Sequence, residues 1–198
     1  MYPKDRINAL TDGVFAVAMT LLILDVRLPE EFHPHDQGEL ISALGGLTQK
    51  VALYALSFYV LGSSWLASTK IRVSDQPLGK SFGFWWLLYL FLATCIPFST
   101  TLVGRFAHLA PSVWAYAANL GLMAAVGYRT TLLQVGTHDD AHIHDRKVSL
   151  LLLFCSSVLA ILVSFAWPKA SLWAYSLNIA ASPIASWHFA SQTKRLGS

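Results

Sequence analysis

Arg6-Ile-Asn-Ala-Leu10-Thr-Asp12-Gly-Val-Phe-Ala-Val17-Ala-Met-Thr20-Leu21-Leu-Ile-Leu24-Asp25-Val-Arg27-Leu28-Pro29 is the stretch on which the fold turns. From Ile7 to Leu28 it holds 22 residues, about 33 Å as a helix and long enough to cross a bilayer. Its uninterrupted apolar part, Gly13 to Leu24, is only 12 residues long, and charge stands at both ends. A helix surrounded by lipid tolerates Asp12 poorly. A helix packed in a bundle, or lining a water path, gives Arg6 and Asp12 partners.

The rest of the chain agrees with a membrane setting. Of its 198 residues, 55% are hydrophobic and 13% charged, with a mean hydropathy of +0.49. A soluble domain carries about 25% charged residues. Four uncharged stretches, Ser81–Gly104, Phe106–Tyr128, Val148–Pro168 and Ala170–Thr193, exceed the length a crossing needs, and Val51–Thr69 supplies a fifth. With the opening helix, six crossings are expected. The expected architecture is an all-α membrane protein, one domain over 1–198, with helices near 6–28, 39–72, 80–106, 111–134, 146–167 and 170–193.

Basic residues set the orientation. With the N-terminus inside, the cytoplasmic segments hold Lys4, Arg6, Lys70, Arg72, Lys80, Arg129, Arg146, Lys147, Lys194 and Arg195. The outer segments hold Arg27, Lys50, Arg105 and Lys169. That asymmetry follows the positive-inside rule, and six crossings return the C-terminus to the cytoplasm. The net charge of +3 therefore reports topology rather than nucleic-acid binding. Asp5 and Asp12 stand where a basic leader belongs, so the first helix is read as retained.

Between the spans, the loop at 30–37 is acidic and polar, and the second helix begins near Glu39. A turn at Asp75-Gln-Pro-Leu-Gly79 leads to the third helix. There Trp85, Trp86 and Tyr89 read as an interfacial aromatic belt, and Pro97 as a bend. Pro111 suits a first helical turn, Pro168 follows the end of the fifth helix, and Pro183 interrupts the sixth. Cys95 and Cys155 read as small packing residues. Residues 138–145 hold three histidines and three carboxylates. Their spacing matches no closed zinc motif, so a solvated loop is the first reading and a metal-binding or pH-sensing loop the second.

No nucleophile elbow, H-E-x-x-H or glycine-rich phosphate loop occurs. Asp12 and Asp25 are 13 residues apart, about 20 Å along a helix, too far to act as an acid–base pair. The protein is therefore not read as an enzyme, and no cofactor or metal site is assigned. The first helix offers a face instead. Val17, Leu21 and Leu24 follow i, i+4, i+7 spacing, with Thr20 beside them. Such a stripe is ordinarily a packing surface; charge at both mouths of the helix points toward a conduit.

The stretch Arg6-x-x-x-Leu10-Thr11-Asp12, followed by the apolar run through Thr20, Leu24 and Asp25, resembles the first-helix signature R-x-x-x-F-S-D. That signature belongs to the endolysosomal potassium channel family of transmembrane protein 175 and its prokaryotic homologues. Ser57-Phe58, Trp65 and Pro97-Phe98 add to the resemblance, which runs the whole six-helix length. It implies a potassium-preferring channel without a T-V-G-Y-G filter, built as a homotetramer in a prokaryotic cell membrane, with the lipid bilayer and monovalent cations as its other partners. The first helices would surround a central pore. Val17, Leu21 and Leu24 would form stacked apolar rings, and Thr20 would add a hydroxyl near the narrowest part. Asp25 and the acidic outer loop would concentrate cations at the outer mouth. Arg6, Thr11 and Asp12 would form a hydrogen-bonded network, with a purely structural latch the competing role, and Trp65 would support the pore helix from behind.

Departures from the pattern limit what carries over. Leu10 and Thr11 stand in place of Phe and Ser, and Ser68 occupies a position where many relatives have histidine. Val17 is smaller than the usual residue of the tightest ring. Two rival functions remain: a proton-coupled or other secondary transporter of small ions, titrating at Asp12 or His188, and an intramembrane scaffold. Against the transporter, the two halves show no matching pair of broken helices.

Overall fold

A computed structural model describes residues 4–69, 80–134 and 141–175. Helix α1 (Lys4–Leu21) tightens into a 3-10 turn over Leu22–Asp25. There follow α2 (Gln37–Gly46), α3 (Thr48–Thr69), α4 (Lys80–Phe106), α5 (Ala110–Gln134), α6 (Ala141–Ser164) and a short α7 (Pro168–Ser171) that continues as a 3-10 turn over Leu172–Tyr175. Four of these are long and apolar enough to cross a membrane, spanning Arg6–Asp25, Thr48–Thr69, Ser81–Phe106 and Ile143–Ser164. The protein is an all-α membrane bundle.

Three expected boundaries differ, each for a local reason. The first helix is not α-helical to Leu28: Leu28 precedes Pro29, which disfavours helical backbone there, and Val26 closes the last turn onto the Ile23 carbonyl at 3.0 Å. The helix expected over 39–72 is divided at Leu47, just after Gly45-Gly46, a pair that weakens helical backbone. Asp36 starts α2 by accepting the Glu39 N–H at 2.7 Å, while Glu39 accepts the His35 N–H at 2.8 Å. The helix expected from 146 begins at Ala141, so His144 and Asp145 lie on α6 rather than in a loop. The Asp75–Gly79 turn, His138, His188, Pro183 and the rest of the expected last helix beyond Tyr175 lie outside the described residues.

Helix α5 is the axis of the bundle, packed along α4 on one side and α6 on the other. Its 25 residues are long enough for a crossing, yet it carries Ser112, Asn119, Thr130 and Thr131, all buried. These polar residues lie on the sides of α5 that pack against protein, whereas Trp114, Leu122 and Leu132 mark an exposed apolar face of the same helix. Small residues let its neighbours approach: a Cβ on Gly121 would lie 3.3 Å from the Ser157 Cβ. Near the middle of the bundle, Thr100 donates to the Ser57 hydroxyl at 2.9 Å, which shares a hydrogen bond with the Tyr116 hydroxyl at 3.0 Å. Asn119 donates to Ser99 at 3.1 Å, and Tyr175 to Ser157 at 3.2 Å. Helix α4 runs through Pro97 as one helix. Its outer face shows Phe84, Leu87, Phe91 and Phe98 at helical spacing, the dress of a surface that meets hydrocarbon or another membrane helix.

Gly127 marks the tightest approach on α5, where a Cβ would meet Tyr89 Cε2 at 3.0 Å and Leu150 Cδ2 at 3.1 Å. Gly127→Ala is expected to cost about 1–3 kcal/mol by overpacking. The check is the unfolding midpoint of the detergent-solubilised protein. Gly45→Ala, where a Cβ meets nothing within 4 Å, should leave that midpoint unchanged or raised.

Candidate functional site

Helix α1 has two faces of different character. Thr11, Phe15, Ala18 and Leu22, spaced by four, three and four residues, are buried against the bundle. Their outward counterparts are Val17, Leu21 and Leu24, residues 58%, 45% and 64% exposed. Leu10 and Thr20 share the exposed side. The Thr20 hydroxyl donates to the Val17 carbonyl at 2.9 Å, which holds its oxygen close to the helix and leaves that oxygen's lone pairs free to accept. This outward face is a continuous apolar strip bearing one hydroxyl.

Two indoles hold α1 at one end, one at the buried Thr11 and the other at the exposed Asp12. Trp65 on α3 donates to Asp12 Oδ1 at 2.8 Å, and Trp86 on α4 donates to Thr11 Oγ1 at 3.1 Å. Thr11 in turn donates to the Ile7 carbonyl at 2.8 Å, so its hydroxyl both gives and receives. A turn further on, the Phe15 and Tyr89 rings meet with centroids 6.0 Å apart. Adjacent residues of α1 are thus held by two different helices, which fixes both its depth and its rotation. Arg6 is exposed, more than one turn before this pair, so the structure brings together Thr11 and Asp12 of the expected trio and sets Arg6 apart. Ser68 donates to the Trp65 carbonyl at 2.6 Å; it bonds along its own helix and not to α1.

The other end of α1 is held by charge. Arg105 donates to Asp25 Oδ1 through Nη2 at 3.1 Å and Nε at 3.3 Å. The Asp25 side chain is 13% exposed, so this carboxylate is turned into the protein and neutralised. Asp25, expected as a pore-lining polar residue, thus has its Oδ1 engaged by Arg105 in the single copy. Beyond it lies an open cavity of about 510 Å³, lined by Arg27, Glu30, Glu31 and Lys50 as well as this pair. Arg27 and Glu30 form an exposed pair at 3.1 Å. Among the described residues, no three histidine, cysteine or acidic side chains converge to hold a metal ion.

Trp86 and Arg105 were not singled out by sequence reasoning. By sequence Trp86 belongs with an interfacial belt; in the structure its N–H and the buried Tyr89 ring both point into the bundle. Arg105 was counted only as an outer charge. Asp25 at the opposite end of the same span was the signal that could have paired them.

Known proteins resemble this chain in sequence and in fold. Residues 6–97 match the model of the endosomal/lysosomal potassium channel TMEM175 family. A potassium channel of Streptomyces collinus is 31% identical over 121 residues, covering 58% of this chain and 57% of that one. A potassium channel of Chamaesiphon minutus is 33% identical over 115 residues, covering 56% of each. The human endosomal/lysosomal proton channel TMEM175 is 31% identical over 85 residues, 40% of this chain and 17% of that one. The chain thus spans little more than half the length of the bacterial relatives it matches. The crystal structure of a lysosomal potassium-selective channel TMEM175 homolog from Chamaesiphon minutus superposes with a TM-score of 0.75 at 24% identity, covering 91% of this chain and 97% of that one. The fold is shared.

The Trp65–Asp12 contact makes a sharp prediction. Asp12→Ala removes a charged acceptor at an exposed position and should cost about 1 kcal/mol or less. The Trp65 indole N–H resonance of ¹⁵N-labelled protein should move to the position of an unbonded indole. Asp12→Asn keeps an oxygen acceptor and should lose less stability and shift less.

Proposed function

The chain belongs to the endosomal/lysosomal potassium channel TMEM175 family, and from that premise we propose that it is a potassium-preferring cation channel assembled from four copies around a shared axis. Membership makes it a transport protein and not an enzyme. The single observation that carries the proposal is the division of α1 into a pinned face and an exposed apolar face. One copy of such a helix encloses nothing, so a conduit needs several.

In this reading Val17, Leu21 and Leu24 face the axis and form the neck, with the Thr20 hydroxyl between the rings. The sequence holds no T-V-G-Y-G loop, so selection would not come from a carbonyl cage of that kind. Apolar rings control passage through radius and wetting: a small change in either decides whether water, and with it an ion, fills the neck. The N-terminus lies in the cytoplasm of a bacterial cell, which puts Asp12 at the inner end and Asp25 at the outer. The multi-pass bundle sits in the plasma membrane. The names of the relatives divide between potassium and proton channels, and the permeant ion is therefore the property to measure.

Leu21→Ala or Leu24→Ala should raise conductance or lower the preference for potassium over sodium, because each widens and wets a ring. The measurement is a bi-ionic reversal potential in planar bilayers containing purified protein. Parental behaviour in both variants would remove these residues from the neck. A flux locked to protons at fixed stoichiometry would instead indicate a coupled carrier.

A further inference from the structure

The Asp25–Arg105 pair stands where the backbone of the first span changes pitch. In the 3-10 turn over Leu22–Asp25, residues three apart eclipse one another. Leu22 and Asp25 therefore point the same way, and both are turned into the bundle: Leu22 is buried and Asp25 nearly so. Leu21 and Leu24, also three apart, share the outward side. The rotation of the whole turn is thus fixed by whatever holds Asp25. Arg105 holds it with two nitrogens on one oxygen.

The site around the pair is shaped for this contact. Arg105 lies in the last turn of α4, where a cation is favoured by the free carbonyls of the helix end. Gly104 beside it has no side chain, and a Cβ there would lie 3.3 Å from Asp25 Oδ2 and 3.5 Å from Leu53 Cδ2. The missing side chain lets the carboxylate settle between α3 and α4. The 3-10 rise of about 2.0 Å per residue, against about 1.5 Å in an α-helix, also separates Leu21 from Leu24 by more than an α-helical turn would.

The geometry points to Asp25 and Arg105 as positioning residues of the outer neck, a rotational stop that keeps Leu24 facing the passage. This rests on the channel reading given above. It assigns Asp25 a role opposite to that of a cation attractor, and the two roles differ in sign. A stop is lost when either partner is neutralised. An attractor is lost in Asp25→Asn but set free in Arg105→Gln.

The test uses full-length protein in liposomes, on a background in which Cys95 and Cys155 are replaced by serine. Asp25→Asn and Arg105→Gln should both shift the potassium/sodium reversal potential in the same direction. The swap Asp25→Arg with Arg105→Asp should bring it back toward the parent. Opposite shifts in low-salt conductance from the two single variants, or no shift in either, would overturn the stop. A second readout is independent of conduction: the rate at which a membrane-impermeant thiol reagent modifies Leu24→Cys should change severalfold when Asp25→Asn is added. If neutral variants do not fold, Asp25→Glu and Arg105→Lys keep the charges at altered reach, and should give smaller changes of the same sign; no change would count against the stop. Leu24→Ala separates the two ideas. If it alters selectivity while the pair variants do nothing, the neck stands and the stop falls. If it does nothing while the thiol rate follows the pair, the neck falls, and with it the pair's part in selectivity, while its hold on the orientation of Leu24 is upheld.

Discussion

An indole N–H placed 2.8 Å from a carboxylate on a neighbouring helix is the contact from which the rest of this molecule can be understood. Asp12 is exposed near one end of an apolar span, and the Trp65 N–H gives its carboxylate a partner there. Trp65 and, one residue earlier, Trp86 satisfy adjacent groups from two different helices. Once those bonds are made, α1 can bury only one side. Phe15, Ala18 and Leu22 follow Thr11 into the bundle, and the opposite strip of valine and leucine is left outside. In water such a strip would drive aggregation. In a membrane it is a surface for hydrocarbon or for another copy.

The bundle that receives α1 is organised by a helix whose sequence is less apolar than its neighbours. Hydroxyls and an amide on α5 would be a poor choice against lipid, but Tyr116 meets Ser57 of α3 and Asn119 meets Ser99 of α4. Polar satisfaction and close approach occur together on this helix, since its glycines and alanines bring the partners within reach.

What sequence reading recovers depends on range. The stripe Val17, Leu21, Leu24 is visible because it repeats within one helix, and the division at Asp12 is visible because a charge interrupts an apolar run. Loss of helix after Asp25 was half visible in Pro29, and the break at Leu47 was available in Gly45-Gly46. The Arg105–Asp25 and Trp86–Thr11 contacts join residues 80 and 75 positions apart. Nothing in local periodicity predicts which of several arginines or tryptophans will arrive at a given carboxylate or hydroxyl. The sequence marks the groups that need partners; packing chooses them.

Ser57, Thr100 and Tyr116 each come from a different helix and meet through two hydrogen bonds. Sliding any one of the three by a single position would strand at least one hydroxyl in a medium that offers no replacement. The interior is therefore keyed in register, and α3, α4 and α5 are bound to travel as one block. The first span is tethered near its two ends and has no such key at its middle. Between those tethers it meets the bundle through the apolar side chains of Phe15 and Ala18, contacts that a small shift costs far less than a stranded hydroxyl would.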